Sequence, residues 1–475
     1  MLESGRAGLS IAPFPVPAGP PATVYEPDGQ GLAPVVIVAH GFAGSRPLME
    51  PFALTLAKAG YLVVSFDFMG HGRNPRPMTG DVTSVDGTTR LLVDEVRAVA
   101  DAALAHPRAD GRLAYLGHSM ASDIIIRAAA AGPKVDAIVA ISAFSKAVTA
   151  EFPRNLLLIT GEWEGGLADA ARDMLQLADP AAGLGQTVGD PSVGTARRAV
   201  LAPGVEHVGV LYSGPAQVEA VDWLNASFGL AGQADPPPRG LWILSLLCAL
   251  AALGWPLARA LPEGPAPKPI ALRPFLMAAL IPVLLVPLAL APVRTQLLPV
   301  LVADYLVLHF AAYAAVSLFI LWRAGLLLGQ FPARVWPLAG LVALFAIAMI
   351  GGVLDRYVAS FLPNPGRLLI IVGLALGAVP YLVADAILTE GGRAPLWRVL
   401  AARGGFLLSL MIAVALNFDS LMFLLIILPI ILLFFLIFGT MSGWIGRRTG
   451  LPAVAGAGFG LMLAWALGVT FPLFA

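Results

Sequence analysis

The chain has one cysteine, Cys248, and it lies inside an apolar run. A single thiol excludes an internal disulfide, argues against a Cys-based metal site, and leaves the redox compartment unmarked. Histidine is scarce too: His40, His71, His106, His118, His207 and His309 are the full set. Charged residues make up only 13% of the chain and sum to zero. No basic stripe with interleaved aromatics is present, so nucleic acid is not an expected partner. The N-terminus, MLESGRAGLSIAPFPVPAGPPA, breaks on prolines and lacks an apolar core of signal-peptide length. Residues 1–20 therefore read as a loose lead-in.

The zero net charge hides a division. Residues 1–235 hold 16 basic and 24 acidic side chains, whereas residues 236–475 hold 14 basic and 6 acidic. The first part reads as an ordinary soluble domain and the second is dominated by long apolar runs. Between them, GLAGQADPPPRG is a Pro/Gly linker. The expected organisation is a soluble domain over 21–228, a linker over 229–240 and a membrane domain over 241–475.

Within the soluble part, APVVIVA at 33–39, YLVVSF at 61–66, LAYL at 113–116, 135–141, 156–160 and 198–201 read as buried strands. Helical patterns fall at about 47–59, 88–105 and 217–228. This alternation predicts an α/β fold with a mostly parallel sheet covered on both faces. The stretch LAYLGHSMAS, residues 113–122, carries an apolar strand into Gly117-His118-Ser119-Met120-Ala121 and then into a helix. That strand–turn–helix is the context of a nucleophile elbow, in which the residues two before and two after the serine must be small. Gly117 and Ala121 satisfy that demand, although alanine replaces the usual second glycine.

With these motifs in this order, residues 20–230 resemble the α/β-hydrolase family. His40-Gly41-Phe42 resembles its H-G turn after an early strand, and Asp67 to Gly72 its D-x-x-G-H-G loop. LLITGEWE, residues 157–164, resembles the strand and turn that carry the acid, and Glu206-His207 the histidine turn. The resemblance implies Ser119 as nucleophile, His207 as base and Glu164 as orienting acid, with Glu162 as the alternative carboxylate. It also implies oxyanion donors at the backbone amides of Phe42 and Met120. His40, Gly41, Gly117, His118 and Ala121 would form the loops around them. His40 and His71 read as structural, His118 as a packing or pocket-wall residue, and Asp67 as a loop-orienting carboxylate. The insertion from Gly165 to Arg197 holds one amphipathic stretch, Leu167–Leu177, positioned to cover the site in part. No cofactor and no metal are implied.

Beyond the linker, about eight segments have the apolar length of a membrane span, predicting an all-α transmembrane bundle. The break Asn417-Phe418-Asp419 marks a tight hairpin. With eight spans, ten Lys and Arg lie in the loops opposite the soluble domain and four on its own side. The positive-inside rule then places the soluble domain outside the cell membrane. The lack of an export signal opposes that placement, and the expectation leans only slightly to the exterior. Charged groups inside spans are functional candidates, which singles out Asp304, His309 and Asp385.

The combined expectation is a membrane-anchored esterase, lipase or thioesterase acting on an acyl ester or lipid held at the bilayer. The alternative is a transport or sensing protein whose soluble domain is regulatory. The oligomeric state is not marked by the sequence.

Overall fold

A computed structural model describes residues 1–29, 31–81 and 84–475. The chain forms two compact units. One comprises Met1–Leu244 together with Asp355–Ser360 and Pro472–Ala475; the other comprises Ser245–Leu354 and Phe361–Phe471.

The first unit is built on nine strands: β1 Ser10–Phe14, β2 Ala22–Glu26, β3 Ala33–Ala39, β4 Leu62–Phe66, β5 Ala109–His118, β6 Ala137–Ile141, β7 Leu156–Gly161, β8 Thr187–Val188 and β9 Arg197–Ala202. They lie side by side in the order β1-β2-β4-β3-β5-β6-β7-β9-β8. The six from β4 through β9 in that order run parallel, and β1, β2 and β8 pair antiparallel at the edges. The parallel strands are buried on both faces, which is why β3 and β6 read as unbroken apolar runs rather than alternating ones.

Helices α1 Arg46–Lys58, α2 Arg90–Leu104, α3 Met120–Ala131, α4 Gly165–Gln176 and α5 Gly214–Phe228 cover the sheet. Two apolar cores result. One holds Ile37, Val64, Tyr115 and Ile125 with α2 and α3, and the other holds Val36, Val63, Leu116 and Leu224 with α1 and α5.

Two sequence expectations need correction here. The supposed loose lead-in contains β1, whose five residues pair with β2 from Ser10↔Glu26 to Phe14↔Ala22. Proline at position 13 argues against a strand, but an edge strand tolerates a missing N–H. The amphipathic stretch in the 165–197 insertion forms α4 and packs on β7 and β9, with Ala168, Ala171, Met174 and Leu175 buried. Its apolar stripe is used to cover the sheet.

The first unit also takes in its two short late stretches. The chain end lies along the loop after β4: the Leu473 amide donates to the Gly70 carbonyl at 2.8 Å and the Met78 amide to the Leu473 carbonyl at 2.7 Å. In Asp355–Ser360, Asp355 pairs with Arg73 at 2.7 Å and the Ser360 amide donates to Ser45 Oγ at 2.8 Å.

In the remainder of the chain, eight helices are long and apolar enough to cross a membrane. They span Arg239–Ala260, Leu272–Leu290, Ala303–Arg323, Val335–Tyr357, Pro365–Leu388, Leu396–Leu416, Leu424–Thr449 and Pro452–Thr470. This is the signature of a multi-pass membrane protein. The last is the most enclosed of the eight, and its Gly456, Gly458 and Gly460 sit where an added Cβ would strike neighbouring backbone or side-chain atoms at 2.6–2.7 Å. Small residues at such crossings let helices approach closely in lipid.

Candidate active site

All the candidate polar groups of the first unit stand at the carboxyl ends of its parallel strands, the edge where open α/β sheets place their ligands. β5 ends at His118, and α3 begins at Met120, leaving Ser119 alone to turn the chain. It does so at φ 54°, ψ −118°, a conformation non-glycine residues avoid. The turn is held by the Ser119 amide donating to the Ile141 carbonyl at 2.8 Å and the Ser122 amide donating back to the Ser119 carbonyl at 2.9 Å. Tightness explains the small neighbours. A Cβ on Gly117 would meet the Ala121 carbonyl oxygen and Ile125 Cδ1, both at 2.9 Å. Ala121 is itself fully buried.

The raised hydroxyl meets an imidazole. Ser119 Oγ lies 2.9 Å from His207 Nε2, and His207 Nδ1 lies 2.5 Å from Glu164 Oε1. The other carboxylate oxygen of Glu164 accepts from Ser142 Oγ and from the Gly161 amide, each at 2.7 Å. Burial opposes ionisation of Glu164, but the hydrogen bonds from His207, Ser142 and Gly161 outweigh it and hold the carboxyl below its ordinary range. Its charge therefore persists where it faces His207 Nδ1, fixing the tautomer that leaves Nε2 free to accept from Ser119.

Glu162 does not join this line. Its amide continues the β7–β9 ladder by donating to the Ala202 carbonyl at 2.9 Å, and its exposed carboxylate accepts from the Gly204 amide at 2.7 Å. Glu206, beside the histidine, accepts from the Val208 and Gly209 amides at 2.7 and 2.8 Å and so closes the turn that presents His207.

Two groups have roles that sequence reading missed. Ser142, immediately after β6, adopts φ 50° and clamps Glu164. A polar residue just past the strand beside the elbow was the only signal of it. His118 does more than line a wall: its Nε2–H donates to the carbonyl of His207 at 2.8 Å, and the two rings sit 4.7 Å apart. Burial, reinforced by the neighbouring His207, pushes the His118 pKa down to about 3, so it is neutral at working pH.

On the other side of Ser119 lies the β3 loop. A Cβ on Gly41 would come within 3.0 Å of Ser119 Cβ and 3.1 Å of His118 Nδ1, so only glycine lets this loop pass so close. His40 is buried and spans the loop. Its Nδ1–H donates to the Gly41 carbonyl at 2.8 Å and its Nε2 accepts from the Phe68 amide at 3.1 Å. Burial lowers its pKa, in keeping with the neutral ring those bonds require. Asp67 accepts from the Arg46 amide at 2.8 Å, Arg46 Nε at 3.0 Å and the Arg73 amide at 3.1 Å, fixing the neighbouring loops. Phe42 follows Gly41, and Met120 opens α3 with its amide in the unpaired first turn.

Among the described residues, no group of three His, Cys, Asp or Glu side chains gathers as a metal site. The intramembrane candidates do not gather either. Asp304 accepts from the amides of Leu297 and Leu298 at 2.5 and 2.9 Å. His309 packs among Tyr305, Tyr313 and Phe406, with Tyr305 Oη 3.3 Å from Nδ1. Asp385 pairs with Arg403 at 2.9 Å.

The sheet order, the strand-to-helix serine turn and the acid and histidine loops give the first unit the α/β-hydrolase fold. Residues 31–172 match the model of a family described as serine aminopeptidase, S33. That match covers less than a third of the chain. Among solved structures, a dienelactone hydrolase from Anabaena variabilis is 20% identical over 46% of this chain and 97% of its own, with a TM-score of 0.34. TT1662 from Thermus thermophilus is 17% identical with the same coverages and TM-score. An epoxide hydrolase from Vigna radiata is 24% identical over 29% of this chain and 41% of its own, with a TM-score of 0.23. No curated protein matches the chain.

Proposed function

We propose that the protein is a membrane-anchored serine hydrolase cleaving carboxylic ester or thioester bonds through an acyl-enzyme on Ser119. The observation that carries this reading is the continuous line Ser119 Oγ–His207 Nε2 and His207 Nδ1–Glu164, at 2.9 and 2.5 Å. His207 takes the serine proton as Oγ attacks the carbonyl carbon, and the Phe42 and Met120 amides receive the developing oxyanion. His207 then protonates the leaving alcohol or thiol. In the second half it takes a proton from water as the water oxygen attacks the acyl carbon, and returns that proton to Ser119 Oγ as the acyl–Oγ bond breaks and the acid leaves.

An acyl substrate is supported by the loops that carry these groups, which expose Phe144, Trp163 and Val208 at 60%, 69% and 46%. Three apolar side chains at the rim favour a hydrocarbon-bearing substrate such as an acylglycerol or lysophospholipid. The matching family's description names an aminopeptidase, and the same serine chemistry opens amides, so aminoacyl substrates belong in the test. Transport or sensing has less to stand on, because Asp304, His309 and Asp385 are each held by separate local partners. The loop arginines favour a domain on the outer side of the cell membrane.

The test is a screen of the full chain in detergent with p-nitrophenyl esters, thioesters, lysophospholipids and aminoacyl p-nitroanilides, alongside labelling by a fluorophosphonate. Ester or thioester turnover and labelling that both vanish in Ser119→Ala are expected. Labelling that persists in that variant, or turnover of anilides alone, overturns the reading.

A further inference from the structure

The first unit contains a concave site whose lining includes none of Ser119, His207 and Glu164. Its cavity is about 560 Å³ and every lining residue belongs to that unit. Four arginines reach it: Arg6, Arg46, Arg73 and Arg356. The β1 side of its wall is apolar, with Ile11, Ala12 and Phe14, while Glu50, Asp355, Thr23 and Ser360 also line it.

The local ion pairs leave guanidinium N–H donors over. Arg6 and Arg239 both hold Glu50, Arg46 holds Asp67, Arg73 holds Asp355 and Arg356 holds Glu3. The four guanidinium groups that line the cavity thus each hold one carboxylate, and Arg239 is buried outside the lining. Arg6 Nε is buried and finds no acceptor among the described residues. Arg73 and Arg356 remain 48% and 39% exposed, Arg73 joined to Asp355 and Arg356 to Glu3 through one terminal nitrogen each, both at 2.7 Å. Guanidinium groups carry five donors in a planar fork that matches phosphate oxygens.

The location adds a second argument. Asp355 and Arg356 lie in the last turn of a helix long enough to cross a membrane, Val335–Tyr357, and Ser360 lies in the connection from it to the next, Pro365–Leu388. A span connection that short lies at the lipid–water boundary, where arginine and tyrosine are favoured and anionic headgroups concentrate. Tyr357 stands there under the Arg356 guanidinium, 5.4 Å from it.

We propose that this cavity binds a phosphate group, with the arginines as its cradle and the β1 wall taking an attached apolar portion. Phospholipid headgroups and free phosphate share that chemistry, and the apolar wall favours the lipid. The site does not depend on the reaction assigned to Ser119, and its test reads binding alone.

The experiment is a thermal-shift titration of the full chain in neutral detergent with phosphatidylglycerol, phosphatidylcholine or inorganic phosphate. Phosphatidylglycerol is expected to raise the midpoint saturably and phosphatidylcholine to have no comparable effect. The double variant Arg73→Gln/Arg356→Gln is expected to weaken the apparent affinity at least tenfold. Ala12→Trp, which fills the cavity without changing charge, is expected to do the same, and the exposed glutamine pair serves should the tryptophan impair folding. A shift from inorganic phosphate of equal size supports the phosphate site with a soluble source. Absence of any shift from either anion, or a shift unchanged in the glutamine pair, overturns the proposal.

Discussion

Glu164→Gln tests the serine line at its most informative point. Glu164 uses both oxygens as acceptors, one toward His207 and one toward Ser142 and Gly161. A glutamine of the same shape has one acceptor oxygen and one NH2. The Gly161 amide can only donate, so the glutamine oxygen turns that way and the NH2 faces His207 Nδ1. Nδ1 must then be the acceptor, which moves the ring proton to Nε2, the nitrogen that has to take the proton of Ser119. The wrong tautomer costs about ten-thousand-fold in kcat in the chymotrypsin-type Asp→Asn case, roughly 5 kcal/mol of transition-state free energy. A loss between about a thousand- and ten-thousand-fold is expected here, with KM changed less than about threefold, because the acid acts on the base and not on bound substrate. Glu162→Gln is the matched control: its exposed carboxylate touches only the Gly204 amide and should change kcat less than about twofold. The assay is steady-state turnover of the best ester from the screen, with labelling rates at Ser119 alongside. Glu164→Gln retaining more than about a tenth of wild-type kcat, or Glu162→Gln falling equally, would refute the tautomer argument.

Three further outcomes follow from the geometry. His118→Phe removes the N–H that fixes the His207 carbonyl and should lower kcat about ten- to fiftyfold with little change in KM, with His118→Gln restoring part of the loss; equal kcat in the phenylalanine variant would discount a positioning role. The same histidine gives a pH signature: its pKa falls from an unfolded value of 6.5 to about 3, so the unfolded chain binds the extra proton between those limits. The stability associated with a neutral His118 is present above pH 6.5 and lost as pH falls toward 3, by up to a few kcal/mol at about 1.36 kcal/mol per unit; melting of wild type should therefore drop more steeply than that of His118→Phe between pH 6.5 and 4. In the helical unit, Asp385→Ala strands the buried Arg403 guanidinium and should destabilise by about 3–5 kcal/mol, whereas Asp385→Ala/Arg403→Leu should recover most of it; thermal melts in detergent that rank the double variant below the single contradict this.

The buried parallel strands were legible because each is an apolar β-branched run bounded by turn residues, and burial on both faces leaves no other pattern. Serine, acid turn and histidine were legible in position because each directly follows such a strand. The choice between Glu162 and Glu164 was not, since both sit in one turn and differ in whether the strand ladder has ended: Glu162 still pairs with Ala202, while Glu164 has entered the cap of α4. β1 was hidden by Pro13 and by lying at a sheet edge, where no hydrophobic run is demanded. β8, two residues long, carries no periodicity at all. The part played by His118 rests on an acceptor 89 positions away, beyond any local pattern. The eight apolar helices were visible because each carries an apolar run of span length.

The sheet-bearing unit draws on three stretches of one polypeptide, and four apolar helices separate the first from the second and four the second from the third. An even number of crossings returns a chain to the compartment it left, which is what a unit assembled from all three pieces requires. Inserting or deleting any single span would maroon at least one of them on the far side. Pro472–Ala475 follows all eight helices in the chain, so the unit it helps to form is assembled only after those helices have been made.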